Sequence, residues 1–350
     1  MSQIIVFDRS GRRIGYLSAS VQRWWTLNEY GQATFDIAMN SPKCNKKYLG
    51  FGNLILVRRE GLPDWGGVID TPREWDYMRG VVTVNAYSGE YLLSFRLPEG
   101  SAHAQTLKGT PGANFREIIN IANRAEDLNI RIGTVEDDSQ ARETKLVGTN
   151  PNGLYDDACA LAEDAGFDWD ISPRLDVSGQ LFFSANFRHR RGIDRTYVLR
   201  DGKDGAIGGD VVLSEQGRIY NDLTVFGDGS SSSKTARYSP PVDVVSRAEY
   251  GLRQGAETLD AKDSESTLKE TAIVRLRYWR QPRAVLGLTV LDVGEAFQNL
   301  DLGDRLPVVL QRAGFRGGGG FGWGGVARIT MLDYSDDENT VELACEEVEQ

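Results

Sequence analysis

Histidine is nearly absent from this chain: His103 and His189 are the only two in 350 residues, and they fall in separate segments. A zinc site or a Ser/His/Asp relay has almost nothing to use. Cysteine is scarce too. Cys44, Cys159 and Cys345 are odd in number and far apart, which excludes a disulfide framework or a CxxC metal knuckle and leaves reduced thiols packed as small apolar groups. No apolar run approaches the roughly 18 residues that span a bilayer, and Met1 to Arg9 lacks the long apolar region of a secretory signal. Basic charge is in deficit: 40 Lys and Arg against 50 Asp and Glu leave −10, the wrong sign for gripping a phosphate backbone over a broad surface. Most hydrolases, metalloenzymes, integral membrane proteins and sequence-specific nucleic-acid binders are disfavoured, and no cofactor or metal is expected.

What is present is ordinary globular material, 40% hydrophobic and 26% charged, enough for two or three domains with real cores. Short strand-like runs dominate, among them Ala33–Ile37, Leu54–Arg58, Val81–Tyr87, Gln180–Phe187, Tyr220–Phe226, Leu286–Leu291, Val326–Leu332 and Thr340–Cys345. Three helical patterns interrupt them. Phe115, Ile118, Ile119 and Ala122 follow Asn114, with Glu117 placed as in a capping box. Leu154, Ala158, Leu161, Ala162 and Ala165 form a stripe stopped by Gly166. The third begins near Ser264, carries Leu268, Ala272, Leu276 and Trp279, and must end before Pro282. The fold class is α+β, mainly antiparallel β.

Two stretches read as exposed connections: Gly227 to Ser233, followed by Pro240-Pro241, and the glycine-dense Gly314 to Gly325. The second falls inside a repeat. Leu49-Gly50-Phe51-Gly52-Asn53-Leu54-Ile55-Leu56-Val57 leads to Trp65-Gly66-Gly67-Val68, then Asp76-Tyr77, then Val82-Thr83-Val84. Leu300-Asp301-Leu302-Gly303-Asp304-Arg305-Leu306-Pro307-Val308 leads to Trp323-Gly324-Gly325-Val326, then Asp333-Tyr334, then Val341-Glu342-Leu343. One β-module is thus read twice, with a longer hairpin in the second copy and Trp323 matched to Trp65. The hairpin residues Phe315, Arg316, Gly317, Gly318, Gly319, Gly320 and Phe321, with Trp323, are the candidate channel or partner-contact loop. Their large apolar groups sit poorly in water beside glycines that permit close backbone approach.

Few residues invite a chemical reading. Asp168 and Asp170 flank Trp169, which places both carboxylates on one strand face about 6.5–7 Å apart, a spacing compatible with a glycosidase pair. Phe167, Trp169 and Ile171 would then face the core, leaving the aspartates on a solvated side. Asp201 to Asp210 and Asp336 to Asn339 lack the spacing of a calcium loop, and Gly317 to Gly320 lacks the Gly-Lys-Ser/Thr of a phosphate loop. Arg188-His189-Arg190-Arg191 reads as a solvated or partner-facing patch.

Several motifs together resemble the tail hub proteins of long-tailed bacteriophages. They are Trp25-Thr26-Leu27-Asn28-Glu29-Tyr30-Gly31-Gln32-Ala33-Thr34-Phe35, the Gly52 to Val57 and Trp65 to Ile69 strands, Ala86-Tyr87-Ser88-Gly89-Glu90-Tyr91-Leu92-Leu93, Asn221 to Gly227, Glu249 to Arg253, and Leu302-Gly303-Asp304. The resemblance implies two similar small β-barrels and two smaller α/β modules, three subunits making a pseudo-sixfold ring. It puts the first barrel at 1–99, a two-helix α/β module at 100–200, the second barrel at 201–230 and 285–350, and a module with one long helix at 231–284. It also implies a non-enzymatic virion protein at the tail tip or baseplate, made in the host cytoplasm and surrounding a DNA exit channel. The partners it implies are a distal tail or tube protein, a tip or fibre protein and, as a further candidate, the tape-measure protein. The second copy ends near Cys345, which leaves little room for an added enzyme. The alternative is a glycan-cleaving or glycan-binding tail enzyme using Asp168 and Asp170.

Overall fold

The computed structural model describes residues 2–98, 105–124, 126–138, 141–201, 206–216, 219–227, 237–259, 265–280, 283–291, 300–310, 323–338 and 340–348. Its dominant feature is a sheet of 13 strands. The first copy of the repeat contributes five antiparallel strands in the spatial order Val21–Thr26, Gln32–Ala38, Val81–Ser88, Trp65–Asp76, Leu54–Arg58. The second contributes Ile207–Gln216, Arg283–Leu291, Thr340–Glu347, Trp323–Ser335 and Arg305–Leu310 in the matching order. Gln3–Phe7 and Arg13–Leu17 extend the first copy, and Leu199–Arg200 extends the second.

The expected closed barrels are not found among the described residues. Val21–Thr26 stands at the end of the first copy's strand order, and it pairs across with Met331–Ser335 of the second copy instead of returning to Arg13–Leu17. The two copies therefore merge edge to edge, and one apolar cluster, including Ile55, Ile69, Val84, Leu306, Ile329 and Leu343, runs beneath both.

Backbone hydrogen bonds fix how the copies correspond. Gly52 N donates to Ile69 O at 2.9 Å and Ile69 N to Asn53 O at 2.8 Å; Gly303 N donates to Ile329 O at 2.8 Å and Ile329 N to Asp304 O at 2.9 Å. Ile69 thus matches Ile329, and a ladder irregularity follows it in each copy. Trp65 lies opposite Val57, whereas Trp323 lies opposite Leu310 and Gly325 lies opposite Val308. The Trp-Gly-Gly-Val match is therefore displaced by two residues. A shift of two keeps every side chain on its face of a strand, which is why the pattern misled on register and not on orientation.

The run Leu54-Ile55-Leu56-Val57 is buried on both faces. Ile55 and Val57 join the large core, while Leu54 and Leu56, with Ile5, Phe7 and Val68, meet a second core built from the α/β module. In that module the helices Pro111–Arg124 and Leu154–Ala165 pack by Phe115, Ile118, Ala158 and Leu161 against Asp168–Leu175 and Leu181–Arg188. The first helix starts before the expected cap. Pro111 opens it, and the Thr110 hydroxyl accepts from Ala113 N at 3.4 Å. Asn114 lies inside, its amide donating to Gly109 O and Thr144 Oγ1. The second helix ends as expected on left-handed Gly166. Asp222–Gly227, placed above with the second barrel, instead pairs with Arg237–Tyr238 and Gln254–Leu259 in a small sheet. There Leu223 and Val225 pack on Ala272 and Leu276 of the helix Glu265–Trp279.

The paired turns generate a test. Gly52 and Gly303 both hold φ near +82°, but a Cβ on Gly303 would strike the Arg191 carbonyl, whereas one on Gly52 meets the movable Arg9 side chain. Gly52→Ala should cost about 1 kcal/mol, and Gly303→Ala clearly more, measured by urea unfolding.

Candidate assembly interface

The sequence candidates Asp168 and Asp170 are not solvated: they are 6% and 4% exposed. The α/β module packs its strand against the second copy, so the face left to water by simple alternation is covered by arginines. Asp168 accepts from Arg191 N at 2.6 Å and pairs with Arg328. Asp170 accepts from Arg188 Nη1 at 2.8 Å and Asn186 Nδ2 at 2.9 Å. The segment after Arg188 continues the network, Arg191 reaching Asp301 at 3.0 Å, while Asp304 accepts from Ile193 N at 2.8 Å and Arg195 Nε at 2.7 Å. Burial opposes charge on Arg191, but Asp301, Asp170 and Glu90 outweigh it and hold the guanidinium above the ordinary arginine value.

Glu90 ties the third part of this junction. Its carboxyl accepts from Ile171 N at 2.8 Å and from the Ser88 hydroxyl; burial pushes its pKa up, against those hydrogen bonds. An open cleft of about 540 Å³ borders the network, yet its Arg188, Arg191 and Arg195 are each engaged by an aspartate. This arrangement braces modules against one another. It offers no carboxylate pair converging on a vacant centre, and no cluster able to hold a metal occurs among the described residues.

The surfaces suited to partners lie elsewhere. Among the described residues, the far half of Trp65–Asp76 pairs with no strand on the side away from Val81–Ser88, whereas the outer edge of Ile207–Gln216 is met at Ile207 by a bridge to Asp201. A strand edge of the first kind presents backbone N–H and C=O groups that invite another chain. The turn beyond Asp76 is rigid, because the Asp76 carboxylate accepts from Met78 N and Arg79 N while Gly80 O accepts from Met39 N. It holds Tyr77 and Met78 in water, Met78 97% exposed. The matching turn of the second copy is acidic and already occupied: Asp336 accepts from Ser2 N at 2.9 Å and Val21 N at 3.1 Å, and Asp337 from Ser20. The sequence reading missed the Trp65–Asp76 edge and this tip; adjacent Tyr and Met in a turn after Trp75 was the available signal. Of the proposed contact loop, Phe315 to Phe321 lie outside the described residues. Trp323 begins its strand and packs partly against the large core.

No family model and no curated protein matches the chain. Solved structures do. A tail protein from Neisseria meningitidis MC58 is similar over 99% of this chain and 96% of its own, with TM-score 0.61 and 12% identity. Prophage tail protein gp18 from Listeria monocytogenes EGD-e matches over 98% and 94%, with TM-score 0.60 and 12% identity. The 43 kDa tail protein of prophage MuSo2 from Shewanella oneidensis matches over 99% and 98%, with TM-score 0.60 and 12% identity. The fold is that of phage tail proteins.

If the aspartates brace the junction, Asp168→Asn and Asp170→Asn should each lower unfolding stability by on the order of 2 kcal/mol, since each strands a partly buried arginine. Neither should change glycan release by the purified protein. A second carboxyl sets a pH dependence. Asp157 accepts from Val147 N and Asn150 Nδ2, but burial pushes its pKa up to about 6. Its folded-state value exceeds its unfolded one, so the stability it contributes is full below about pH 4 and is lost as pH rises through about 6. Asp157→Asn should flatten that step in thermal unfolding followed from pH 4 to 8, by on the order of 1 kcal/mol after solvent screening.

Proposed function

We propose that this chain is a structural hub of a bacteriophage tail tip or baseplate, forming a trimeric, pseudo-sixfold ring around the DNA exit channel. The observation that carries the reading is the duplicated five-strand module whose two copies join edge to edge within the chain. Modules that join in this way are suited to joining between chains too, and ring closure removes sheet edges. The full-length fold likeness to phage tail proteins supports the same class. Two modules in each of three chains would let the ring meet a sixfold tube above and a threefold tip or fibre below.

The sheet face away from the core is suited to line the channel. It carries Gln22, Thr34, Asp36, Thr83, Asp333 and Glu342, polar or acidic residues that neutralise no phosphate. Asp333 and Glu342 are directly opposite across strands, and burial followed by Glu342 raises the Asp333 pKa. Like charges so placed cost stability, a cost consistent with a surface selected to repel a polyanion. A distal tail or tube protein above and a tip or fibre protein below are the partners of this reading, and Phe315 to Trp323 is kept as its contact loop. No enzymatic step is assigned, because Asp168 and Asp170 are already engaged by arginines.

Native mass spectrometry of the soluble chain, with and without the distal tail protein, tests the reading. A trimer is expected; a monomer under both conditions contradicts it.

A further inference from the structure

The end of the first copy remote from the second carries a charge that the chain as a whole lacks. Segments 9–16 and 41–51 hold six Lys and Arg and no Asp or Glu, in a protein whose net charge is −10. The fold brings them together. Arg13–Leu17 is the last strand of the sheet order, and the short helix Lys46–Leu49 lies beside it, with the Tyr48 ring so close over Gly15 that a Cβ there would meet it at 3.1 Å. Lys43 Nζ donates to Tyr16 O at 2.7 Å, and Arg9 Nη2 donates to Phe51 O at 3.0 Å. Arg73 joins from the neighbouring strand, its guanidinium donating to Leu49 O.

Three of these cations are held on aromatic rings. The Arg73 guanidinium lies 3.9 Å from the centre of the Phe51 ring, Arg13 lies 5.6 Å from that of Tyr16, and Lys47 Nζ lies 5.8 Å from that of Tyr48. Arg13 Nη1 also donates to the Tyr16 hydroxyl at 3.0 Å. Nearby Arg58 and Arg79 are paired with Asp64 and Asp36. Among the described residues none of Arg9, Arg13, Lys43, Lys46, Lys47 and Arg73 forms such a pair. Phe51 is 46% and Tyr16 41% exposed, so the stacked pairs are at the surface. Burial lowers the Arg73 pKa, with Asp70 opposing the shift, and a further carboxylate would offset a desolvation cost that the folded chain already bears.

We infer that this patch docks an acidic face of a different protein of the tail, whose Asp and Glu carboxylates accept from Arg13, Arg73, Lys46 and Lys47. The inference rests on the hub reading above and names the chemistry of one neighbour. Three observations favour protein carboxylates over nucleic acid or lipid. Each of the three rings has its own cation stacked on it, which takes a face that a base would stack on or that acyl chains would cover. The arginines are fixed by hydrogen bonds and stacking, and a fixed planar fork matches a carboxylate in bidentate geometry, whereas non-specific attraction to phosphates or to an anionic bilayer needs only charge density. Arginine beside exposed aromatic side chains is also the composition of a protein interface core. The patch lies at the opposite end of the first copy from the seam at Val21–Thr26, so docking there leaves the junction of the two copies untouched.

Binding of the purified full chain to three probes tests the assignment: a short polyglutamate peptide, a DNA duplex of equal charge, and phosphatidylcholine vesicles containing phosphatidylserine. Polyglutamate should bind tightest. Arg13→Lys and Arg73→Lys keep the charge but lose the fork, and each should weaken polyglutamate binding at least about 10-fold; Arg13 is exposed, so its variant keeps the test sound should Arg73→Lys disturb the fold. Lys46→Glu with Lys47→Glu, both at exposed positions, should leave the circular dichroism spectrum and the native mass of the chain unchanged, abolish polyglutamate binding, and yield particles that lack a neighbouring tail protein. Tighter binding of the duplex or the vesicles would overturn the choice of partner. Unchanged polyglutamate binding by the two Arg→Lys variants, or particles of normal protein composition from the double Lys→Glu variant, would overturn the docking patch and leave the hub reading standing. A monomer that still binds polyglutamate through these residues would remove the ring and leave the patch.

Discussion

A β-strand edge is a row of backbone donors and acceptors that must find partners or remain in water, and this requirement organises the molecule. Val21–Thr26 would be the edge of the first module; it is satisfied by Met331–Ser335. Arg23 lies at that seam, fully buried, with Nη1 donating to Val57 O at 3.1 Å and its guanidinium 5.4 Å and 5.5 Å from the rings of Trp25 and Tyr334. Burial lowers its pKa to about 10, with Asp336 opposing the shift, so the group stays charged at neutral pH. A cation held between two aromatic faces is suited to a junction that must form in one register only.

The two copies diverge where their neighbours differ. In the first, Leu54 opposite Val68 lies beneath the α/β module and is buried. At the matching place in the second, Arg305 lies opposite Arg328. Burial, then Arg190 and Arg328, lowers the Arg305 pKa, and Asp168 is drawn to Arg328 in the same network. One face of the repeat is therefore an apolar dock and its duplicate is an ionic one. The aspartates that looked chemical in the sequence are part of that second dock.

Much of this was legible beforehand because it depends on short-range pattern. The antiparallel strands and the Gly166 stop follow from period and helix-end chemistry. The repeat was legible, and its register was not, because a displacement of two leaves hydrophobic alternation intact. Thr110 rather than Asn114 caps a helix because Asn114 is claimed by Gly109 and Thr144 across the module, a tertiary effect invisible in a capping pattern. Asp168 and Asp170 were misplaced for the same reason: alternation gives two faces, and only packing tells whether the polar one meets water or Arg188 and Arg328. The joining of the two copies at Val21–Thr26 needed strand order, which no local signal encodes.

The central claim is that one β-module, used twice in the chain and joined edge to edge at Val21–Thr26 and Met331–Ser335, is the building unit of the proposed ring. A cryo-electron reconstruction of the assembled particle tests it most directly. The account predicts three copies of this chain, and so six similar sheet modules, around a channel, with the seam through Val21–Thr26 inside each copy. A particle holding one copy of this chain, or copies whose duplicated modules lie away from the channel, would contradict it.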